Sequence, residues 1–236
     1  MTRRILLISS STCHPTGYLD HAEPEIRDFL GATRRVLFFP WALTDCDGYA
    51  AKVRERLGRM DFDVDSAHDA PDPVRAVEEA EAVFVGGGNT FRLLKKLYEL
   101  DLLVPLRRRV WEGMPYVGSS AGSNVAGATI RSTNDMPIVE PPSLSALGIV
   151  PFTLNPHYLD PDPASTHKGE TREERIAQFH EENDQAVVGL REGAILRVEG
   201  GAVSLRGIAR ARLFRRGERP TEFKPGDRLD FLLGQK

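Results

Sequence analysis

The stretch Pro115-Tyr116-Val117-Gly118-Ser119-Ser120-Ala121-Gly122-Ser123-Asn124 reads as a buried strand, a sharp turn and a helix start, with Ser120 at the turn. Tyr116 and Val117 are β-formers, and residues 121–130 are rich in small side chains that pack closely. Within the stretch, Gly118-Ser119-Ser120-Ala121-Gly122 matches G-x-S-x-G, the nucleophile elbow, in which small neighbours let a strained turn lift a serine hydroxyl above a sheet. Taken alone the pentapeptide also fits a glycine- and serine-rich loop with no chemistry, so its surroundings have to decide.

Upstream, residues 4–9 form an apolar run that opens into Ser9-Ser10-Ser11-Thr12, the pattern of a buried parallel strand leaving a sheet. A helix is predicted around residues 23–30, with Pro24 in its first turn, and a strand over residues 35–39 closed by Pro40. Residues 47–60 follow as a helix capped by Asp45 or Asp47, then a strand over 62–66, an acid-started helix over 72–80 and a strand over 82–85. That last strand runs into Gly86-Gly87-Gly88-Asn89-Thr90, and helical periodicity covers 91–100 and 102–112 up to Gly113. Strands alternating with helices imply an α/β fold with a mostly parallel sheet covered by helices on both faces. Sites in such sheets lie beyond the carboxyl ends of the strands, where both glycine-rich segments fall.

Downstream, residues 133–163 carry seven prolines, Pro137, Pro141, Pro142, Pro151, Pro156, Pro161 and Pro163, and little helical periodicity. Long irregular segments in compact domains tend to be functional, and this one holds Asn155-Pro156-His157 just after an apolar run. Thr171-Arg172-Glu173-Glu174 fits a capping box opening a helix to about residue 181, and residues 186–190 read as another buried strand. Residues 195–198 and 202–205 around Gly200-Gly201 form a C-terminal β-hairpin, followed by a β-prone stretch over 209–214 and a polar tail. No repeat or low-complexity segment interrupts the chain, and residues 1–236 are expected to form one domain.

A formal net charge of −3 argues against nucleic acid, whose partners carry a concentrated basic face; the short clusters Arg34-Arg35, Arg107-Arg108-Arg109 and Arg215-Arg216 read as solvated surface. The expected partner is a small molecule. Cys13 and Cys46 have neither metal-site nor disulfide-framework spacing, the first apolar run is too short for a signal peptide, and nothing approaches a membrane span. A cytoplasmic protein, monomer or homodimer, without cofactor or metal is expected.

A serine hydroxyl is a poor nucleophile until a base takes its proton, so the elbow needs a histidine and a carboxylate to orient it. Among His14, His21, His68, His157, His167 and His180, His157 has the scaffolded position, after a rigidifying proline at the end of an apolar run. Two carboxylates compete as its partner. Asp135 precedes the histidine, as in α/β-hydrolases, but follows Ser120 closely; Glu192 lies just past the strand over residues 186–190 and gives the order Ser, His, Glu. An oxyanion hole would come from the backbone amides of Ala121 and Gly88. The triple glycine is no Walker loop, since no Gly-Lys-Ser/Thr follows, and it lacks the third glycine of a dinucleotide fingerprint.

Taken together, Gly86-Gly87-Gly88-Asn89-Thr90-Phe91, the elbow, Thr133-Asn134-Asp135-Met136-Pro137-Ile138-Val139, Asn155-Pro156-His157 and His167-Lys168-Gly169-Glu170-Thr171-Arg172-Glu173 resemble the peptidase E family of α-aspartyl dipeptidases. The resemblance runs from the first strand to about Glu192 and implies a fold similar to class I glutamine amidotransferases, with serine in place of cysteine at the elbow. It makes Ser120 the nucleophile, His157 the base, Gly88 and Ala121 the oxyanion donors, and it includes both Asp135 and Glu192, with Glu192 expected as the histidine's partner and Asp135 nearby for the substrate or the site geometry. It implies removal of an N-terminal aspartate from dipeptides, with Arg172 gripping the aspartate side chain and Asn89 in the substrate site. Ser119 departs from the bulky aromatic expected there and is predicted to widen the site. Other readings of the same residues are a cyanophycinase-like β-aspartyl peptidase, an esterase, or a binding protein for acidic ligands.

Overall fold

The structure is a computed structural model that describes residues 3–162, 164, 166 and 168–234. The first half alternates as expected: β1 (Arg4–Ile8), α1 (Glu23–Leu30), β2 (Arg35–Phe39), α2 (Cys46–Gly58), β3 (Asp63–Ser66), α3 (Pro73–Glu79), β4 (Ala82–Val85), α4 (Thr90–Glu99), α5 (Leu103–Trp111) and β5 (Tyr116–Ser119). Local chemistry explains the helix starts. Asp45, Asp72 and Asn89 each accept a hydrogen bond from the backbone amide three residues on, capping α2, α3 and α4. After the elbow come the one-turn helix α6 (Ala121–Asn124), β6 (Thr153–Pro156), α7 (Arg172–Glu182) with its capping box at Thr171, and β7 (Val187–Leu190). The chain closes with β8 (Ala194–Glu199), β9 (Ala202–Gly207), β10 (Ala211–Phe214) and β11 (Thr221–Phe223).

The central sheet has the order β3-β2-β4-β5-β1-β8-β9, parallel from β3 to β1 and antiparallel where the hairpin β8–β9 joins. Alternate residues of β1 feed opposite faces. Leu6 and Ile8 join Ile26, Phe29, Tyr49 and Val53 of α1 and α2 in one apolar cluster, while Ile5 and Leu7 join Leu93, Leu97, Leu106 and Val110 of α4 and α5 in the other. Burial of apolar area on both faces is the main stabilising term of such a sheet.

One feature of the architecture differs from the expectation of a single sheet. β6 and β7 pair in parallel in a separate four-stranded sheet, β11-β10-β7-β6, whose other pairs are antiparallel. The free edge of β1 is taken by β8, because the chain reverses at Gly193, with φ of 84°, directly after β7. β7 is thus excluded from that edge and pairs with β6 and β10 instead. The two sheets share an apolar core, since Leu154, Val188 and Leu190 lie in the same cluster as Ile5 and Leu7. The tail is not merely polar either: beyond β11, Leu229 and Leu232 are fully buried, and the Leu229 amide bonds to Val203 O on β9. Among the described residues no helix is long and apolar enough to cross a membrane.

Candidate active site

Ser120 follows β5 in a backbone conformation, φ 51° and ψ −108°, that a non-glycine residue adopts only under constraint. The constraint is visible. Its amide donates to Ile8 O at 3.0 Å, its carbonyl accepts the Asn124 amide at 3.0 Å, and the turn is pressed against β4. A Cβ placed on Gly122 would lie 2.1 Å from Val85 O, so only glycine lets α6 pack that closely. Gly122→Ala should therefore destabilise the fold by about 3 kcal/mol, read as a lowered denaturant midpoint. A midpoint equal to the parent's would mean that α6 can lift away from β4 at no cost.

His157 follows Pro156 at the end of β6, and its Nε2 lies 3.1 Å from Ser120 Oγ. Its Nδ1 lies 2.8 Å from Glu192 Oε1, two residues beyond β7. The hydrogen-bond pattern implies an Nδ1–H donated to the carboxylate and an Nε2 free to accept the serine proton. Both side chains are open to solvent, at 44% and 54% exposure, as a site that admits substrate directly from water requires. The loop after His157 is tied to the strand end before Glu192 by Arg191. Its guanidinium makes two 2.7 Å bonds to Asp160 and two 2.9 Å bonds to Glu222, and these bonds hold it above its ordinary pKa.

Asp135 lies elsewhere in the cleft. Its Oδ2 accepts from the Thr90 amide at 2.7 Å and from Thr90 Oγ1 at 2.5 Å, which docks the carboxylate on the first turn of α4. The structure thus brings together Ser120, His157 and Glu192 and sets Asp135 apart from the histidine. Gly88, with φ of 136°, and Ala121 flank the serine from two strand ends. The Gly87 amide is already bonded to Tyr49 Oη at 2.9 Å, whose phenol burial keeps protonated, whereas among the described residues the Gly88 and Ala121 amides make no hydrogen bond.

Asn89, expected at the substrate, is instead spent on the fold. Its Oδ1 caps α4 by accepting from the Arg92 amide, and its Nδ2 donates to Met136 O at 2.8 Å, so both ends of the side-chain amide are engaged. Ser119 does not widen the site: it is fully buried and is absent from the walls of the cleft. Arg172 opens α7, half-buried and without an ion pair among the described residues; it lines a neighbouring pocket with Leu159, Asp160, Glu170 and Arg175 and not the walls of the Ser120 cleft. Burial pulls its pKa below the ordinary value and the Arg175 charge adds to that, while the negative charge of Asp135 acts in the opposite sense. Of the other histidines, His68 bonds Ser66 and Asp47, His180 bonds Gln185 O, and His14 and His21 make no bond to Ser120; His167 lies outside the described residues.

The cleft, about 530 Å³, is lined by Ser120, His157, Gly87, Gly88 and Asp135 together with Ser11, Tyr18, Leu43, Asp45, Gly48, Tyr49 and Lys52. The second group has no motif that marks it as site-forming. The signal for Ser11 was the serine run at the carboxyl end of the first strand, the edge where such sheets bind ligands.

Residues 5–206 match the model of peptidase family S51. A Streptomyces coelicolor protein named Peptidase E is 56% identical over 229 residues, covering 97% of this chain and 94% of that protein. A Drosophila melanogaster protein named "Probable alpha-aspartyl dipeptidase" is 50% identical over 98% of both chains. The crystal structure of a peptidase from an acI-B1 actinobacterium superposes with a TM-score of 0.72 over 97% of both chains at 15% identity, a likeness of fold. The extent of these matches, spanning the elbow and the ends of β6 and β7, means that the chain belongs to peptidase family S51.

Proposed function

We propose that this protein is a serine dipeptidase that hydrolyses the peptide bond after an N-terminal aspartate. The observation that carries the aspartate preference is Arg172, a half-buried guanidinium with no ion pair among the described residues, close enough to Asp135 to feel its charge. A half-buried cation without an ion pair is suited to receive a carboxylate through two parallel hydrogen bonds. Asp135, fixed on α4 and exposed to the cleft, supplies the opposite charge for a free α-amine. The name of the Drosophila relative, "Probable alpha-aspartyl dipeptidase", agrees with this reading.

In the proposed reaction, Ser120 Oγ attacks the carbonyl carbon of the Asp-Xaa bond as His157 Nε2 takes its proton. The amides of Gly88 and Ala121 stabilise the oxygen that becomes negative. His157, its imidazolium stabilised by Glu192, gives the proton to the departing amine; water then attacks the aspartyl ester by the same steps in reverse order, freeing aspartate and Ser120. Nucleophile, base and oxyanion donors all belong to the chain. The two cysteines, both free, suit the reducing cytoplasm in which we place it.

The test is hydrolysis of Asp-Leu beside β-Asp-Leu, Glu-Leu and Ala-Leu in the presence of a chelator. Asp-Leu should be cleaved in strong preference. Arg172→Ala should raise KM for Asp-Leu by about 10- to 100-fold and flatten the preference over Ala-Leu. An unchanged preference in that variant would remove Arg172 from the substrate site, and preferred cleavage of β-Asp-Leu would move the assignment to an isoaspartyl peptidase.

A further inference from the structure

Granting the serine-peptidase reading above, we infer that Ser9 is a positioning residue for His157, and that Ile8 and Ser9 together hold the nucleophile and the base in register. Ser120 leaves the central sheet, whereas His157 and Glu192 leave strands of the second sheet, so the Ser120–His157 separation is a separation between sheets. The end of β1 spans it. Ile8 O accepts the Ser120 amide at 3.0 Å and Ser123 Oγ at 2.8 Å. One residue later Ser9, fully buried, accepts the His157 amide on its Oγ at 3.0 Å and donates its hydroxyl proton to Leu190 O at 2.7 Å.

The same two residues reach the carboxylate. Leu190 stands two positions before Glu192, and the Ser9 amide donates at 3.0 Å to Ala194 O, two positions after it. Adjacent residues at the end of β1 therefore contact the backbone at, or within two residues of, all three members of the triad.

His157 needs such a clamp. Its φ of 52° is a conformation that costs a non-glycine residue roughly 1–3 kcal/mol and persists only where the surroundings impose it. The Ser9 hydroxyl does so from one side, and the Tyr158 amide, bonded to the same Leu190 O at 2.9 Å, from the other. Without the hydroxyl the His157 amide loses its acceptor and the backbone can relax out of the left-handed region, carrying the imidazole off Ser120. A displacement of about 1 Å at a reacting group is enough to cost on the order of 100-fold in rate.

The experiment compares the full chain with Ser9→Ala and Ser9→Thr, reading Asp-Leu turnover and the rate at which a fluorophosphonate labels Ser120. Ser9→Ala should lower kcat by about 10- to 100-fold with KM changed less than about threefold, and slow labelling by a similar factor. Ser9→Thr, which keeps the hydroxyl, should restore most of both. In a His157→Ala background, Ser9→Ala should lower the residual rate by no more than about twofold, since its effect passes through the histidine. Where Ser9→Ala does not fold, Ser9→Cys, of similar shape but a weaker acceptor, gives the same comparison. Parental turnover and labelling in a folded Ser9→Ala protein overturn the inference, as does an undiminished loss in the His157→Ala background. Failure of the unsubstituted protein to cleave Asp-Leu would instead overturn the functional reading, while fluorophosphonate labelling would still report on Ser9.

Discussion

Ser120→Ala is expected to lower kcat on Asp-Leu by about 10⁴- to 10⁶-fold while leaving KM within about fivefold, measured against the parent at one pH in chelator. The size of the loss follows from the geometry. The hydroxyl is the only group at the elbow within hydrogen-bond distance of His157 Nε2, at 3.1 Å, so alanine leaves the base with nothing to deprotonate. What remains is a substrate oriented in a cleft with two unoccupied backbone donors, which by analogy with other triads retains on the order of 10³-fold over water. Stability should hardly change. Alanine inherits the same strained φ, and Ser120 keeps its backbone bonds to Ile8 and Asn124, which involve no side-chain atom. Retention of more than a few per cent of the rate would sink the acyl-enzyme mechanism.

The second large effect separates the two carboxylates. Glu192→Gln should reduce kcat by about 10²- to 10³-fold with little change in KM, because an amide can donate to Nδ1 and so favour the wrong imidazole tautomer. The loss should fall short of that for a buried triad acid, since Glu192 is 54% exposed and water can partly replace it. Asp135→Asn should instead act mainly on KM, through the α-amine, and lower the melting temperature by a few degrees as α4 loses a negative charge at its N-terminus. Steady-state kinetics on both variants decide the matter. A kcat loss in Asp135→Asn that exceeds that of Glu192→Gln, at unchanged KM, would reverse the two roles.

Gly122 and Asn89 show how differently the same kind of motif can be read. The elbow glycines announce a close approach, and the approach exists, with Val85 O pressed against Gly122. Asn89 stands in an equally distinctive glycine-rich string, yet its side chain caps the helix that begins one residue later. Its capping position agrees with the residue type and with the helical periodicity that begins two residues later.

What the sequence determined by itself is what short-range chemistry controls. The apolar runs at β1, β2, β4 and β5, the caps at Asp45 and Thr171, the elbow at Ser120 and the hairpin around Gly200-Gly201 all depend on residues a few positions apart, and all are present in the structure. Tertiary structure alone decided which strands share a sheet, because β7 and β8 compete for the single free edge of β1 and that competition has no local signature. It also decided that Glu192 and not Asp135 faces His157, and that Ser9 holds the histidine backbone. These partners are brought together across 35 and 148 residues of chain, a separation at which periodicity and capping carry no information and only the packing of one sheet on the other sets the distance.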